Sequence, residues 1–362
     1  MSKDTFNEAN YEQAIIELFR DQLGYEYIYG PDIERDYTEP LFLDRLQQSL
    51  LAINPALPAV AIQESIDKIR QIDTGSLVQR NEVFTDYLQN GVDVSYFDGE
   101  EQHSACVRLI DYDHPLHNNF VVANQWSIEE HSVRRADIIV FINGLPLVVM
   151  ELKSPSRTET NVSEAYAQLR NYMQEIPSLF VYNAFCVMSD LVTSKAGTIT
   201  SGEDRFMEWK TVDGQTEDNH FANFHVLFCG MFEQERLIEI LRDFICFSKE
   251  EKQSAKILAG YHQFYAVRKA ITSVKEATTT NGKGGVFWHT QGSGKSLSMV
   301  FFAKCLQRAL SSPTIVVITD RTDLDNQLFG QFSKCADFLS QVPIQAKSRK
   351  HLSELLDGIE AN

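Results

Sequence analysis

The dipeptide Asn143-Gly144 stands between two apolar runs and limits the folding of this chain more than any other feature. Asn-Gly is the preferred pair for a two-residue type I′ turn, because both central positions require a positive φ. The flanking runs, residues 138–142 and 145–150, are rich in Val, Ile, Leu and Phe, which favour buried strands. The sequence therefore predicts a β-hairpin within a hydrophobic core.

Charged residues stand at the open end of this hairpin. Asp137 precedes the first run, and Glu151 and Lys153 follow the second. Side chains alternate along a strand, so Glu151 and Lys153 share one face. A strict two-residue turn pairs Asp137 with Met150 on the other face, whereas a three-residue loop or one bulge pairs Asp137 with Glu151. If the three residues act together, the hairpin must contain that irregularity, and bulges are common beside active sites.

These three side chains suit metal-dependent hydrolysis of a phosphodiester. Two adjacent carboxylates bind a hard cation such as Mg²⁺. The cation polarises a phosphoryl oxygen and generates hydroxide, and a nearby lysine orients the water or stabilises the developing charge. A hairpin whose ends are charged because they meet solvent would show the same spacing, and the residues alone leave both interpretations open.

A predicted helix follows the hairpin, and in it Gln168 and Tyr172 lie four residues apart on one face. The Asp…Glu-x-Lys hairpin followed by Gln-x-x-x-Tyr resembles the nuclease domain of the motor (R) subunit of type I restriction enzymes, which belongs to the PD-(D/E)xK superfamily. Ala136 occupies the position of the superfamily's Pro, a departure that we expect to be harmless. The resemblance implies an α/β fold with a mixed sheet flanked by helices.

The resemblance also assigns roles to these residues. It implies that Asp137 and Glu151 hold Mg²⁺ together with the Leu152 carbonyl, and that Lys153 lies beside the attacking water. An acidic residue on the first helix joins the metal site in the family, and Glu12 is the best match, although a solvated helix face also explains it. The implied catalytic residues, of which the last two place the DNA or support the site, are Asp137, Glu151, Lys153, Gln168 and Tyr172.

A second motif, Gly292-Ser-Gly-Lys-Ser296, lies between a predicted apolar strand at 284–289 and a helix. The backbone N–H groups of such a loop cradle phosphates, while Lys295 reaches the β/γ-phosphates and Ser296 binds Mg²⁺. His289 stands where the strict P-loop has Gly. The loop resembles motif I of superfamily 2 helicases, in which that Gly is often absent.

Two flanking segments resemble the same helicases. Residues 261–269 are similar to the adenine-contacting stretch, with Gln263 as the candidate base reader; a polar residue on an amphipathic helix is the alternative. Residues 313–328, a predicted parallel strand and helix, match motif Ia, which touches the DNA backbone in the family. The residues that the resemblance implies in ATP binding are Gln263, Thr290, Gln291, Gly292, Ser293, Gly294, Lys295 and Ser296.

The resemblance covers nearly the whole chain and implies an endonuclease domain at 1–250 and an incomplete RecA-like motor lobe 1 at 255–362. An amphipathic helix over 8–24 begins the first domain, and an apolar helix over 233–247 closes it. After motif Ia no Asp-Glu-x-His pair follows to position the hydrolytic water, which phosphoryl transfer requires. We therefore expect an engineered fragment or truncated product that binds ATP weakly without translocating.

The composition limits which partners this chain can bind by itself. The net charge of −17 argues against a free-standing DNA binder, because phosphate contacts come from Lys and Arg. The resemblance implies double-stranded DNA as substrate and the methyltransferase (M) and specificity (S) subunits as partners. Scattered cysteines, no signal peptide and no apolar run of about 18–20 residues indicate a cytoplasmic protein without a membrane segment. Basic residues nevertheless collect near the proposed site: Arg134, Arg135, Lys153, Arg157 and Arg170.

A third cluster, formed by Asp111, Asp113, His114 and His117, resembles a metal site only superficially. Its His-Pro-x-His segment is loop-like, and no Cys or third His follows at zinc spacing. The sequence alone therefore predicts no metal there.

The leading hypothesis is the Mg²⁺-dependent endonuclease and ATP-binding part of a type I restriction motor subunit. It would cut DNA without sequence specificity after ATP-driven translocation by the full-length subunit. A type III-like or RecB-like nuclease–helicase fusion is the alternative among enzymes, but the nuclease-first order and the Gln-x-x-x-Tyr helix favour type I. A non-catalytic docking or ATP-binding module is the alternative from a different class.

Overall fold

A seven-stranded mixed sheet organises the first part of the chain in the computed structural model, which describes residues 8–153, 162–218 and 224–357. The chain divides into two units. Unit 1 runs to Ile245 and includes Gln253–Tyr265, and unit 2 comprises Cys246–Lys252 and the residues from Ala266 onward. The seven-stranded sheet lies in unit 1.

The strands are β1 (Glu26–Tyr29), β2 (Val92–Phe97), β3 (Gln102–Val107), β4 (Phe120–Glu129), β5 (Val133–Ile142), β6 (Leu145–Leu152), β7 (Phe185–Ser189), β8 (Ser194–Gly197), β9 (Met207–Glu208), β10 (Ile245–Ser248) and β11 (Ala255–Leu258). The α-helices are α1 (Glu8–Glu17), α2 (Leu43–Ile53), α3 (Ala59–Arg70), α4 (Leu77–Asn90), α5 (Val162–Glu175), α6 (Pro177–Val181), α7 (Phe224–Phe232), α8 (Gln234–Asp243), α9 (Tyr261–Thr278), α10 (Lys295–Ala309), α11 (Thr322–Lys334), α12 (Ala336–Leu339) and α13 (Arg349–Asp357). None of the helices in the described part of the chain combines the length and apolarity needed to cross a bilayer.

The sheet has the strand order β1-β4-β5-β6-β7-β8-β9. The β1–β4 and β6–β7 pairs are parallel and the others antiparallel, which confirms the expected mixed sheet. Helix α5 packs on one face, where Leu169 joins the core that contains Val149 and Met188. Helix α1 is tied to the other face, because the Tyr11 hydroxyl lies 2.6 Å from Oγ of Ser189, whose side chain alternates with that of Met188.

Two predicted helices end earlier than expected. The α-helix predicted over 8–24 ends at Glu17, and Leu18–Gln22 continue as a π-helical turn that buries both Leu18 and Phe19. The helix predicted over 233–247 ends at Asp243, and Ile245–Ser248 form β10 instead. An Ile-Cys-Phe run favours a strand, because branched and aromatic side chains pack well on a pleated surface.

The strands predicted in unit 2 do not form. Neither 284–289 nor 313–319 is hydrogen-bonded into a sheet. A parallel strand is stable only beside hydrogen-bonded neighbours and under a cover on both faces. These two segments do not pair with each other, and their apolar side chains stay exposed, with Val286 at 97% and Ile318 at 85% of full exposure.

The hairpin turn adopts the predicted conformation. Asn143 and Gly144 have φ values of 53° and 81°. The buried Asn143 side chain donates hydrogen bonds to the Leu109 carbonyl (2.9 Å) and to Oδ1 of Asn118 (2.7 Å). A Cβ atom on Gly144 would lie 2.5 Å from the backbone nitrogen of Leu46, so the turn has no room for a side chain.

Replacing Gly144 with Ala should therefore lower the free energy of unfolding by more than about 2 kcal/mol, since left-handed φ costs an L-residue about 1–2 kcal/mol and the clash adds to it. Gly99→Ala is the matched control, because Gly99 also has a positive φ but nothing lies within 4 Å of its Cβ position. Urea denaturation measures both losses. Equal losses in the two variants would show that the close packing of the turn contributes nothing.

Candidate active site

Strands β5 and β6 carry the charged residues, and their register contains the predicted irregularity. The paired residues are Ile142–Leu145, Phe141–Pro146, Val140–Val148, Ile139–Val149 and Ile138–Met150. Leu147 is therefore an extra residue in β6, a β-bulge. Continuing the register by one pair brings Asp137 opposite Glu151, on the same face of the sheet. The prediction of a bulge is confirmed.

Asp137 is held by the backbone of the neighbouring strand. Its Oδ2 atom accepts a hydrogen bond of 2.8 Å from the Leu152 amide. On its other side, the β4–β5 ladder skips the position at which Gln125 would pair with Asp137. Gln125 has φ 55°, and a left-handed residue cannot continue a ladder. The hydrogen-bonded pairing of β4 with β5 is therefore interrupted beside the Asp137 carboxylate.

Glu151 is buried, at 3% exposure, and forms an ion pair of 2.6 Å between its Oε1 atom and the Lys153 ammonium. Within the described residues, Oε2 of Glu151 has no hydrogen-bond partner. The adjacent Tyr172 hydroxyl donates to the Arg135 carbonyl at 3.0 Å, and its interaction with Glu151 acts to lower the pKa of that carboxyl. A buried carboxylate oxygen that lacks a donor is well suited to a cation, so the residues present fit a metal ion here.

Burial shifts the pKa values of the three charged residues of this site. It raises the pKa of Asp137 to about 8, and the charge of Glu151 adds to the effect. Burial also raises the pKa of Glu151, against the opposing charge of Lys153. For Lys153, burial acts to lower the pKa, but attraction to Glu151 outweighs it and leaves the pKa raised. At neutral pH the raised pKa of Asp137 favours its protonated form, and the raised pKa of Lys153 keeps its ammonium charged beside Glu151.

Helix α1 brings Glu12 to the same region. Its carboxylate accepts hydrogen bonds from the side-chain amides of Asn124 (2.6 Å) and Gln125 (2.9 Å). The charge of Glu12 contributes to the raised pKa of Asp137. Two amide donors fix this carboxylate near Asp137, which is more than a solvated helix face requires.

Sequence reasoning missed two features of this site. Glu8 lies one helical turn before Glu12, and its charge acts on both Glu151 and Lys153. The spacing of four residues from Glu12 was a usable signal for Glu8. The left-handed conformation of Gln125 had no signal, since glutamine rarely adopts it.

Helix α5 places Gln168 and Tyr172 beside the carboxylates. Tyr172 is 3% exposed, and its hydroxyl interacts with the Gln168 side chain as well as with the Arg135 carbonyl. These residues border an open pocket of ≈ 410 Å³, lined by Ser127, Val133, Arg134, Arg135, Gln168 and Tyr172. All five residues of the implied catalytic set are thus brought together around one region of the sheet.

The basic residues near the site differ in their surroundings. Arg134 is paired with Glu175, and Arg170 donates to the Ile199 carbonyl at 2.8 Å. Arg135 is exposed beside the pocket. Arg157 lies outside the described residues.

The glycine-rich loop of unit 2 leads into α10. Gly292 and Gly294 have φ values of 82° and 76°, and Gly294 holds the N-cap position, where it has no side chain to cap the first-turn N–H groups. The Lys295 ammonium donates to the carbonyls of His289 (2.8 Å) and Thr290 (2.7 Å). Backbone N–H groups at a helix N-terminus with a lysine beside them fit a phosphate group.

Gln263, the predicted base reader, belongs to unit 1. It is buried, at 5% exposure, and its Oε1 atom accepts a hydrogen bond of 3.0 Å from the Gly260 amide. This hydrogen bond lies at the N-terminal end of α9, which begins at Tyr261. Adenine contact by Gln263 stays a prediction.

Two family profiles match the chain. The profile of the type I restriction enzyme R protein N terminus matches residues 5–205, and that of the SWI2/SNF2 ATPase matches residues 262–362. The HindI type I restriction enzyme endonuclease subunit of Haemophilus influenzae is 39% identical over 97% of this chain, and the SauMSSORF170P counterpart from Staphylococcus aureus is 28% identical over 66%. The chain spans 35% and 24% of the lengths of these relatives.

The raised pKa of Asp137 predicts how stability depends on pH in the presence of a chelator. Between the ordinary value of 3.8 and about 8, the folded state holds a proton that the unfolded state releases. Stability therefore falls as pH rises through this window. Asp137→Asn lacks this titration. The difference in free energy of unfolding between this variant and the wild type should therefore shift in favour of the variant by about 2 kcal/mol or more from pH 4 to pH 8, measured by urea denaturation.

Asp21→Asn is a control for which the opposite dependence of stability on pH is expected. Asp21 is exposed, and its hydrogen bond with Arg20 lowers its pKa, so this variant should lose a little stability relative to the wild type as pH rises. A difference between Asp137→Asn and the wild type that stays constant from pH 4 to pH 8 would contradict the protonated Asp137.

Proposed function

This chain belongs to the type I restriction enzyme R protein family, and we propose that Asp137, Glu151 and Lys153 form an endonuclease centre of the PD-(D/E)xK type. The observation that carries the proposal is the bulge at Leu147, which brings both carboxylates to one face. A hairpin that merely ended in solvent would not need this register, nor would it bury Glu151 with an oxygen atom lacking a donor.

The proposed cation is Mg²⁺, held by Asp137, Glu151 and the Leu152 carbonyl, with Glu12 as a further acidic residue on α1. When bound, Mg²⁺ supplies polarisation of a phosphoryl oxygen and activation of a water molecule. The protein's own contribution is a prearranged pair of carboxylates. The proton on Asp137 must leave for it to act as a ligand, so metal affinity should rise with pH.

Lys153 supplies a positive charge at the reacting phosphate. Its raised pKa keeps the ammonium charged at neutral pH. With a cation at Glu151, the Glu151–Lys153 attraction would be weaker, and Lys153 would have an N–H donor available for a phosphate oxygen or the water. Tyr172 holds the backbone at Arg135 through its hydroxyl, and Gln168 borders the pocket beside it.

Double-stranded DNA is the proposed substrate. Arg135 and Gln168 offer donors to phosphate oxygens at the pocket, and phosphate contacts carry no sequence information. The net charge of −17 makes strong DNA binding by this chain alone unfavourable. We therefore assign the retention of DNA to methyltransferase (M) and specificity (S) subunits, and cleavage to a stage that follows ATP-driven translocation by the full-length protein.

Unit 2 is proposed to bind ATP as part of a RecA-like motor lobe, with residues 1–250 forming the nuclease domain and 255–362 the motor portion. The glycine-rich loop and α10 support this assignment, because the Lys295 ammonium donates to the carbonyls of His289 and Thr290, and a phosphate could take the place of these acceptors. Thr290, Gln291 and Ser293 would line the phosphate site, and Ser296 would face its Mg²⁺.

Nicking of supercoiled plasmid by the purified chain tests the nuclease proposal. With Mg²⁺ or Mn²⁺, at low salt and high chain concentration to offset its weak DNA binding, the wild type should nick slowly. Asp137→Ala or Lys153→Ala should reduce the rate at least about 100-fold, as expected for loss of a residue that acts on the transition state. Lys210→Ala is the control, since Lys210 is a half-exposed lysine of the same unit. Nicking that survives in Asp137→Ala would contradict the assigned centre, and a wild type that never nicks would favour a docking module.

Titration with a fluorescent ATP analogue tests the nucleotide proposal. Lys295→Ala should weaken binding at least about tenfold, because one charge-assisted contact to phosphate is lost. Lys283→Ala, which removes an exposed lysine outside the loop, should bind like the wild type. Equal affinity of Lys295→Ala and the wild type would exclude the proposed phosphate site.

A further inference from the structure

A separate cluster of ligand-type side chains lies in the loop between β3 and β4. The carboxylate of Asp111 and the imidazoles of His114 and His117 offer ligand atoms that all lie within 4.8 Å of one another. We propose that these three residues bind a divalent transition-metal ion of the Zn²⁺ type. This site is independent of the proposed nuclease centre.

The distances within the cluster match a coordination shell. Oδ2 of Asp111 lies 3.3 Å from Nδ1 of His117 and 3.7 Å from Nδ1 of His114. Zn²⁺ bonds of about 2.0–2.1 Å in a tetrahedral arrangement place neighbouring ligand atoms roughly 3.3 Å apart. Both imidazoles are exposed, so their rings can rotate out of their present stacked arrangement until all three ligand atoms face one ion.

A turn of 3₁₀ helix explains why the two histidines converge. Residues Pro115–His117 form this turn and His114 is its N-cap residue, so the two histidines stand three positions apart, which is one turn of a 3₁₀ helix. The imidazoles of His114 and His117 accordingly stack, with ring centres 4.9 Å apart and planes inclined by 16°. These ligands lack the familiar zinc spacing because they are arranged by this turn and not by a Cys/His motif.

The carboxylate is oriented before any ion arrives. Oδ1 of Asp111 accepts hydrogen bonds from the amides of Asp113 (3.1 Å) and His114 (2.9 Å), which leaves Oδ2 directed at the imidazoles. Asp111 is 8% exposed, whereas the histidine side chains are 67% and 65% exposed. An ion can therefore enter from solvent, and water can complete its coordination.

Asn118 ties this loop to the hairpin turn. Its Oδ1 atom accepts hydrogen bonds from the Asp111 amide (2.8 Å) and from the side chain of Asn143 (2.7 Å), and its Nδ2 donates to the Asp111 and Pro115 carbonyls, both at 2.8 Å. These four hydrogen bonds therefore hold in place the loop that carries the proposed ligands. An ion held there would cross-link the loop that supports the turn, about 20 Å along β5 from Asp137.

The ligand chemistry separates this site from the carboxylate centre. Two imidazole nitrogens with one carboxylate favour late first-row ions such as Zn²⁺ and Co²⁺, whereas Mg²⁺ prefers oxygen ligands only. Excess Mg²⁺ should consequently fill the carboxylate centre without displacing zinc from the histidines.

Calorimetric titration of the purified 362-residue chain with Zn²⁺ in excess Mg²⁺ tests the proposal. The wild type should bind one equivalent, zinc should raise its thermal unfolding midpoint, and Co²⁺ should give the visible absorption of a nitrogen-ligated ion. His114→Ala and His117→Ala should each weaken zinc binding at least tenfold. Asp111→Asn should do the same while its Oδ1 retains the two amide hydrogen bonds.

His103→Ala is the matched control, because His103 is an exposed histidine that also pairs with an aspartate, Asp98, at 2.7 Å. It should bind zinc like the wild type. Unfolding midpoints in chelator should be alike for all four variants, which confirms that each is folded. Unchanged affinity in a His114→Ala/His117→Ala double variant, or an equal loss in His103→Ala, would overturn the site.

Discussion

The hydrogen bond from the Leu152 amide to Asp137 joins the two strands that carry the candidate active site, and it depends on one bulged residue, Leu147. Without that extra residue, the alternation of side chains would turn Asp137 to the opposite face of the sheet from Glu151. Helix α5 places Tyr172 beside both carboxylates only in this bulged register. Fold and chemistry are therefore coupled through a single backbone irregularity.

Burial gives this site its electrostatic character. Two carboxylates in an apolar sheet repel each other and lose hydration, which raises the pKa of Asp137, while Glu151 pairs with Lys153. Burying two carboxylates together lowers the stability of the fold, as is common at functional sites. The amides of Asn124 and Gln125 hold a third carboxylate, that of Glu12, close to the same place.

The hairpin, its bulge and the residues of the candidate site could be predicted because they follow from alternation, turn preference and a recognisable motif. The conformation of Gln125 and the stacking of His114 on His117 could not, since both arise from backbone conformations without a strong residue preference. The prediction of strands in unit 2 was wrong for a different reason. Apolar content shows that a segment can form a strand, but a strand also needs neighbours for its hydrogen bonds.

The central claim is that Asp137 and Glu151 together bind a divalent cation. Anomalous diffraction from crystals of the chain grown with Mn²⁺ tests it directly, because Mn²⁺ takes the oxygen ligands that Mg²⁺ prefers. The geometry predicts a peak at coordination distance, about 2.0–2.3 Å, from oxygen atoms of both carboxylates. A map at saturating Mn²⁺ with no peak between Asp137 and Glu151 would contradict the claim.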